Sequence, residues 1–188
     1  NQKNFFSYNT SINNRFFTIT TNDSIYCFSN QLVSAWKTSL PNSTFFDGAV
    51  NDSGTFSGIF QRDKEYFIAT SVEGKIITQT ISAEKEELSD FKIIHEGNRI
   101  IVVSLFGFTD NTFNPIYNDI ANANKFKSNG ISISEFDNNL QLIKTNSIKF
   151  SEETLLETVD NLLLKNIKGV DFLKIQQMDV MSNGNIML

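Results

Sequence analysis

The sequence predicts an all-β chain assembled from repeated antiparallel sheet modules, and three observations carry that expectation. Apolar and polar residues alternate along short runs that meet a tight, Asn- or Gly-bearing turn and then return, which is the pattern of a β-hairpin; three such hairpins can be read. Phe28 and Val72, each the last residue before its turn, are 44 residues apart, within the roughly 40–50 residues of a four-stranded repeating unit. Two further strand-like runs precede every hairpin, which brings each module to four strands.

In chain order, the first module takes strands over Phe5 to Tyr8 and Arg15 to Thr20, then a hairpin from Ser24 to Phe28 that turns at Ser29-Asn30-Gln31 and returns from Leu32 to Trp36. The second takes Phe45 to Val50 and Gly54 to Phe60, then Tyr66 to Val72, a turn at Glu73-Gly74, and Lys75 to Ile81. The third takes Phe91 to His95 and Arg99 to Phe106, then Gly130 to Phe136, a turn at Asp137-Asn138-Asn139, and Leu140 to Ile148. Asn and Gly are expected to supply the positive φ angles of these turns. From Val72 to Phe136 is 64 residues. The excess over the first interval is assigned to Gly107 to Asn129, which has no sustained period and reads as a long loop inserted in the third module.

After a Ser cap at Ser151 and the early Glu152 and Glu153, the residues Leu155, Leu156, Val159, Leu162 and Leu163 recur at helical spacing up to Gly169. One short helix is therefore predicted over 151–165. From Asp179 to Leu188 a strand, an Asn183-Gly184 turn and the start of a returning strand are read. Four-stranded units of this kind are the blades of a β-propeller. The sequence thus predicts a single partial propeller domain of about three and a half blades: 1–42, 43–84, 88–150 and a truncated 170–188. The apolar faces of a blade are covered only by its neighbours, so a tight protein partner or the remainder of a larger chain is expected.

Composition narrows the function. Hydrophobic residues make up 40% and charged residues 20%, enough apolar surface to offset chain entropy and fold. The net charge is -5, and the only three arginines, Arg15, Arg62 and Arg99, are scattered. No basic stripe is present to displace counterions from a phosphate backbone, so nucleic acid is not an expected partner. The longest apolar stretch, Ile100 to Phe108, is broken by Ser104 and Gly107 and falls well short of the roughly 20 residues that cross a bilayer. No charged segment followed by an apolar one opens the chain as a leader peptide would.

Residue types that carry chemistry are sparse. His95 is the single histidine and Cys27 the single cysteine, so neither a triad nor a multi-imidazole metal site finds its companions. His95 is read as an exposed turn residue, and Cys27, in an apolar strand-like run, as an inert buried thiol. Carboxylate pairs such as Asp47 with Asp52, or Glu135 with Asp137, are read as solvated turn residues, since glycoside hydrolysis needs a separation that sequence does not give. Asp110-Asn111-Thr112 and Asn118-Asp119 offer hard oxygens without a calcium-loop spacing. No metal, cofactor or catalytic residue is assigned. Binding is expected in the inserted segment, where Phe108, Phe113, Asn114, Tyr117, Asp119 and Phe126 combine flat apolar faces with amide and carboxylate groups.

Two resemblances follow from particular residues. Asn51-Asp52-Ser53-Gly54-Thr55-Phe56 resembles the Asp-box turn of sialidase-type propellers, with one residue fewer between Gly54 and the aromatic, no Trp, and no repetition along the chain. The run from Asn129 to Leu140, following a long insertion within a blade, resembles uncharacterised bacterial propeller-like proteins of exported type. That likeness extends loosely over 15–150, and it implies an interaction role in the periplasm or at the cell surface and no catalytic residue. The Gly-His and Trp-Asp signatures of a cytosolic WD-type adaptor are missing. The sequence therefore points to a non-catalytic protein-interaction scaffold, with a glycan-binding or glycan-cleaving propeller as the alternative.

Overall fold

Strand-forming runs punctuated by Asn, Asp and Gly leave each segment only one way to satisfy its backbone groups, by pairing with the next. In the computed structural model, which describes residues 5–21, 23–81, 87–110, 125–150, 170–171, 175, 178–180 and 186–187, this produces three antiparallel four-stranded meanders. The first sheet holds β1 (Phe5–Thr10), β2 (Phe16–Thr21), β3 (Ser24–Ser29) and β4 (Ser34–Ser39). The second holds β5 (Thr44–Val50), β6 (Phe56–Arg62), β7 (Glu65–Val72) and β8 (Lys75–Ile81). The third holds β9 (Glu87–Glu96), β10 (Arg99–Asp110), β11 (Lys125–Asp137) and β12 (Leu142–Lys149). Each is ordered as its strands follow in sequence, and β13 (Val170–Asp171) adds to β11. The strand, turn and strand expected near residue 188 correspond to a two-stranded ladder of β14 (Asp179–Val180) with β15 (Ile186–Met187).

The sheets pack face to face with their first strands together, β5 lying against both β1 and β9. Their fourth strands are the most exposed, and every residue of β12 is open to solvent. This is the blade arrangement of a β-propeller, first strand innermost and fourth outermost. The predicted helix over 151–165 lies outside the described residues.

Strand alternation gives every sheet two different apolar faces. At the first junction Ile25 and Leu40 of the first sheet meet Phe56, Phe60, Phe67 and Ala69 of the second. At the next junction Ile59 and Ile68 meet Phe91, Ile93, Ile100, Val102 and Phe136 of the third. The Phe56 ring lies so close over the paired Gly48 and Gly58 that an added Cβ at either would come within 2.8 Å of it. A polar tie accompanies each apolar contact. Trp36 Nε1 donates to the Gly54 carbonyl at 3.0 Å, and the Ile93 amide donates to Asp47 Oδ2 at 2.9 Å. Burial holds the Asp47 carboxyl above its usual range, against the opposing pull of the Ile93 amide and of Lys92. On the third sheet Asp90 Oδ2 accepts a bond of the same kind from the Ile175 amide.

Three expectations are corrected. The segment 107–129 is not a loop throughout, because β10 and β11 keep pairing through Asp110↔Lys125; the alternation there is masked by Gly, Asn and Lys. His95 is not a turn residue but the penultimate residue of β9, opposite Ile100 at the junction of the second and third sheets. Nor do Asn and Gly supply all the left-handed turn residues. Leu32 (φ 62°) and Leu140 (φ 60°) do so in two turns with the same hydrogen bonds, Leu32 N to Ser29 O and Leu140 N to Asp137 O. The left-handed region costs a branched residue about 1–2 kcal/mol. Burying a leucine side chain recovers about 1.5–3 kcal/mol, and Leu140 is 2% exposed in the core. Leu32, 75% exposed, has no such compensation.

Two outcomes follow. Leu32→Gly should stabilise the protein by up to about 1 kcal/mol, and Leu140→Gly should destabilise it by roughly 2–4 kcal/mol. Denaturant midpoints compare them, and a shift of the same sign in both would refute the burial argument. The second outcome concerns pH. Neither nitrogen of His95 has a hydrogen-bond partner among the described residues, and burial lowers its pKa to about 4 from an ordinary 6.5. Between those values the unfolded chain binds the proton and the folded chain does not, so stability falls as the pH drops from 6.5 towards 4, by on the order of 3 kcal/mol. Thermal melts of His95→Leu should lose that slope; an unchanged slope would assign it elsewhere.

Candidate interaction site

Past Gly107, where β9 ends, and before Gly130, where β12 ends, β10 and β11 continue as a ribbon over Gly107–Asp110 and Lys125–Ser128. β13 pairs with Lys127 and Ser128 on its β11 side. At the neck, an added Cβ on Gly130 would sit 2.2 Å from the Ile148 carbonyl oxygen and 2.4 Å from Phe106 Cζ. Only glycine lets the three strands close there. Phe108 is half-buried on this ribbon and Ser128 is fully buried. Phe126 is carried by β11, opposite Thr109; Phe113, Asn114, Tyr117 and Asp119, like Asn118, lie outside the described residues. The structure therefore brings Phe108 and the backbone of Phe126 onto one extended ribbon and leaves the other four expected residues undescribed.

The carboxylates singled out in sequence are occupied with holding turns and junctions. Asn51, not Asp52, closes the Asp-box-like turn: its Oδ1 accepts the Ser53 and Thr55 amides, each at 3.0 Å, while Gly54 takes φ 79°. Asp52 instead reaches across to the first sheet, accepting the Asn13 amide at 3.1 Å and the Asn13 side chain. A hydrogen bond from the Ser11 hydroxyl, with those from Asn13, holds the Asp52 carboxyl below its usual range. Glu135 pairs with Arg99 at 3.2 Å, and Asp137 Oδ1 accepts the Asn139 and Gln141 amides at 2.9 and 2.8 Å. The Cys27 thiol is buried, which pushes its pKa up to about 11, the opposite of an activated nucleophile. Among the described residues no group of three His, Cys, Asp or Glu side chains is arranged to hold a metal, and no helix is long and apolar enough to cross a membrane.

Two features were not found from sequence. A cavity of about 380 Å³ opens beside the β6–β7 turn, lined by Arg62, Asp63, Glu65, Phe67 and Thr78–Thr80. The Arg62 guanidinium lies 5.3 Å from the Phe67 ring centroid and donates to Ser43 Oγ at 3.1 Å. The second is the outward face of the first sheet. Phe17 stacks on Phe28 with ring centroids 5.1 Å apart, and Tyr8, 65% exposed, tilts against Phe17 at 5.7 Å. The signal was present: Phe17 and Ile19, like Tyr26 and Phe28, alternate with apolar or small residues that face the core, so both faces of that sheet are apolar.

No protein-family model and no curated protein matches the chain. Among solved structures it is similar to a protein of unknown function from Bacteroides caccae, at 9% identity and a TM-score of 0.41 over 80% of this chain and 47% of that one. It is also similar to Hsv2 of Kluyveromyces marxianus, at 11% identity and 0.47 over 79% and 40%. A third likeness is to the WD40 domain of SCAP from fission yeast, at 11% identity and 0.32 over 77% and 42%. The chain spans less than half the length of each of these three structures.

Proposed function

We propose that this chain is a non-catalytic protein-interaction module that presents a partner protein with the β10–β11 ribbon. The observation that carries the reading is the continued pairing of β10 and β11 beyond the ends of β9 and β12. Recognition is commonly carried by segments that a rigid scaffold holds away from its body, and a paired ribbon locked at Gly130 is such a mount. The aromatic and amide residues expected to bind, Phe113, Asn114, Tyr117 and Asp119, fall in the connection between its two strands. Consumption of the prominent carboxylates in turns and sheet ties supports a role without catalysis. The resemblance of 129–140 to exported proteins supports a place in a periplasmic or cell-surface assembly.

The test replaces 111–124 by a two-residue Asn-Gly turn, which suits antiparallel strands, and separately replaces Phe113 and Tyr117 by Ala. Bait prepared from each form is compared for protein capture and for retention of an oligosaccharide panel. The original chain should hold a protein partner, the shortened one should lose it, and the Ala pair should weaken it by at least about tenfold. Retention of oligosaccharide with no protein bound would move the assignment to a glycan-binding propeller.

A further inference from the structure

We propose that β8 is a docking edge, on which an extended segment of a partner protein adds to the second sheet as a further strand and seats a lysine or arginine side chain in the cavity beside the β6–β7 turn. Among the described residues β4, β8 and β12 each end a four-stranded meander, and each so presents a row of unpaired backbone groups. Proteins guard such edges with bulges that twist them away and with charges, lysine above all. β4 has both: its ladder shifts register between Ser34 and Trp36, and Lys37 stands mid-strand. β12 also has both, a shift between Leu142 and Lys144, with Lys149 at its end. β8 has neither. Its ladder with β7 keeps unbroken register from Lys75 to Ile81, and after Lys75 the run Ile76-Ile77-Thr78-Gln79-Thr80-Ile81 holds no charge, proline or glycine. All but Gln79 are β-branched, the side chains that favour an extended backbone.

The cavity adjoins the middle of this edge, since Thr78, Gln79 and Thr80 line it and all three are exposed. Thr78 and Thr80 lie opposite Ala69 and Phe67, which face the first sheet. Every second side chain of a strand added outside β8 would therefore stand on the cavity's side. Phe67 offers an apolar wall to an aliphatic stem, and the charges around it select the tip. Arg62 is engaged with the Phe67 ring and Ser43 Oγ. The exposed carboxylates of Asp63 and Glu65, by contrast, have no hydrogen bond or ion pair among the described residues. Two open carboxylates against one engaged guanidinium favour a basic side chain. In strand addition the main-chain bonds give affinity and the side-chain pockets give selectivity. The edge belongs to the second sheet, so this docking stands apart from the ribbon on the third.

The probe is a fluorescent nonapeptide of alternating Thr and Val with Lys at its centre, titrated against the intact chain and followed by anisotropy. It is compared with a version carrying Glu at the centre and with one N-methylated at every backbone amide. The Lys peptide should bind with a dissociation constant below about 1 mM and slow hydrogen exchange at amides of β8. The Glu peptide should bind at least about fivefold more weakly, and the methylated one not at all. Glu65→Lys, at an exposed position and with retained strands confirmed by circular dichroism, should reverse the preference for Lys over Glu. No binding of the Lys peptide, equal binding of the Lys and Glu peptides, protection of β4 or β12 in place of β8, or a preference unmoved by Glu65→Lys would each overturn the proposal. So would a dimer, seen by sedimentation before peptide is added, whose β8 amides are already protected, because the edge would then belong to a second copy.

Discussion

A sheet that is apolar on both faces cannot stand by itself in water, and everything else in this structure answers to that constraint. Each of the three meanders is narrow and satisfies its own backbone internally, but the side chains it turns outward belong in a core. Stacking sheet upon sheet is the solution, with Ile25 and Leu40 set against Phe56, Phe60 and Phe67, and Ile59 and Ile68 set against Phe91, Ile93, Ile100, Val102 and Phe136. Flat rings against branched aliphatics fill space without repeating either shape. The Gly48 and Gly58 pair beneath Phe56 shows how far the backbone accommodates that packing.

Apolar contact alone leaves two stacked sheets free to slide, because it is non-directional. The polar ties remove that freedom. Trp36 to the Gly54 carbonyl, Asn13 to Asp52 and the Ile93 amide to Asp47 each link a residue of one sheet to a specific group of the next. The acidic residues that sequence offers as pairs take part in these ties and in the turns. They are consumed as acceptors, and Asp47 accepts its burial penalty in exchange for a bond that a hydrophobic residue would not make. Arg99, bridging Glu96 and Glu135, performs the same service within the third sheet.

The ribbon and the outward aromatic face are departures from this economy. Beyond β9 and β12 the pairing of β10 with β11 continues, flanked by β13, and the narrow passage at Gly130 shows a backbone committed to that geometry. Leaving Tyr8 and its stacked neighbours on an outer face is likewise a cost to an isolated molecule, since contiguous exposed apolar surface marks a place of association. Both features point outward, one from the end of a sheet and one from its flank.

What the sequence determined by itself is the local order: alternation at period two, turn residues at fixed offsets and a repeat near 44 residues suffice to locate the strands of all three sheets, because each strand pairs with its immediate neighbour in the chain. The turn at Glu73-Gly74 and the return over Lys75–Ile81 were legible to the residue. What only the tertiary structure decided is the meaning of side chains whose partners come from another sheet. His95 looks like a turn residue beside Glu96-Gly97-Asn98 until β5 and β6 are packed over its strand, and Leu140 looks misplaced at a positive φ until its side chain is seen in the core. The expectation of a loop over the whole of 107–129 was overturned for a related reason. Strand extension there is set by pairing between residues about 20 apart, a contact whose stabilisation local alternation does not record. Hydrogen bonding along the chain is a local property, whereas burial depends on what the fold brings near, and the function of an outward face depends on burial.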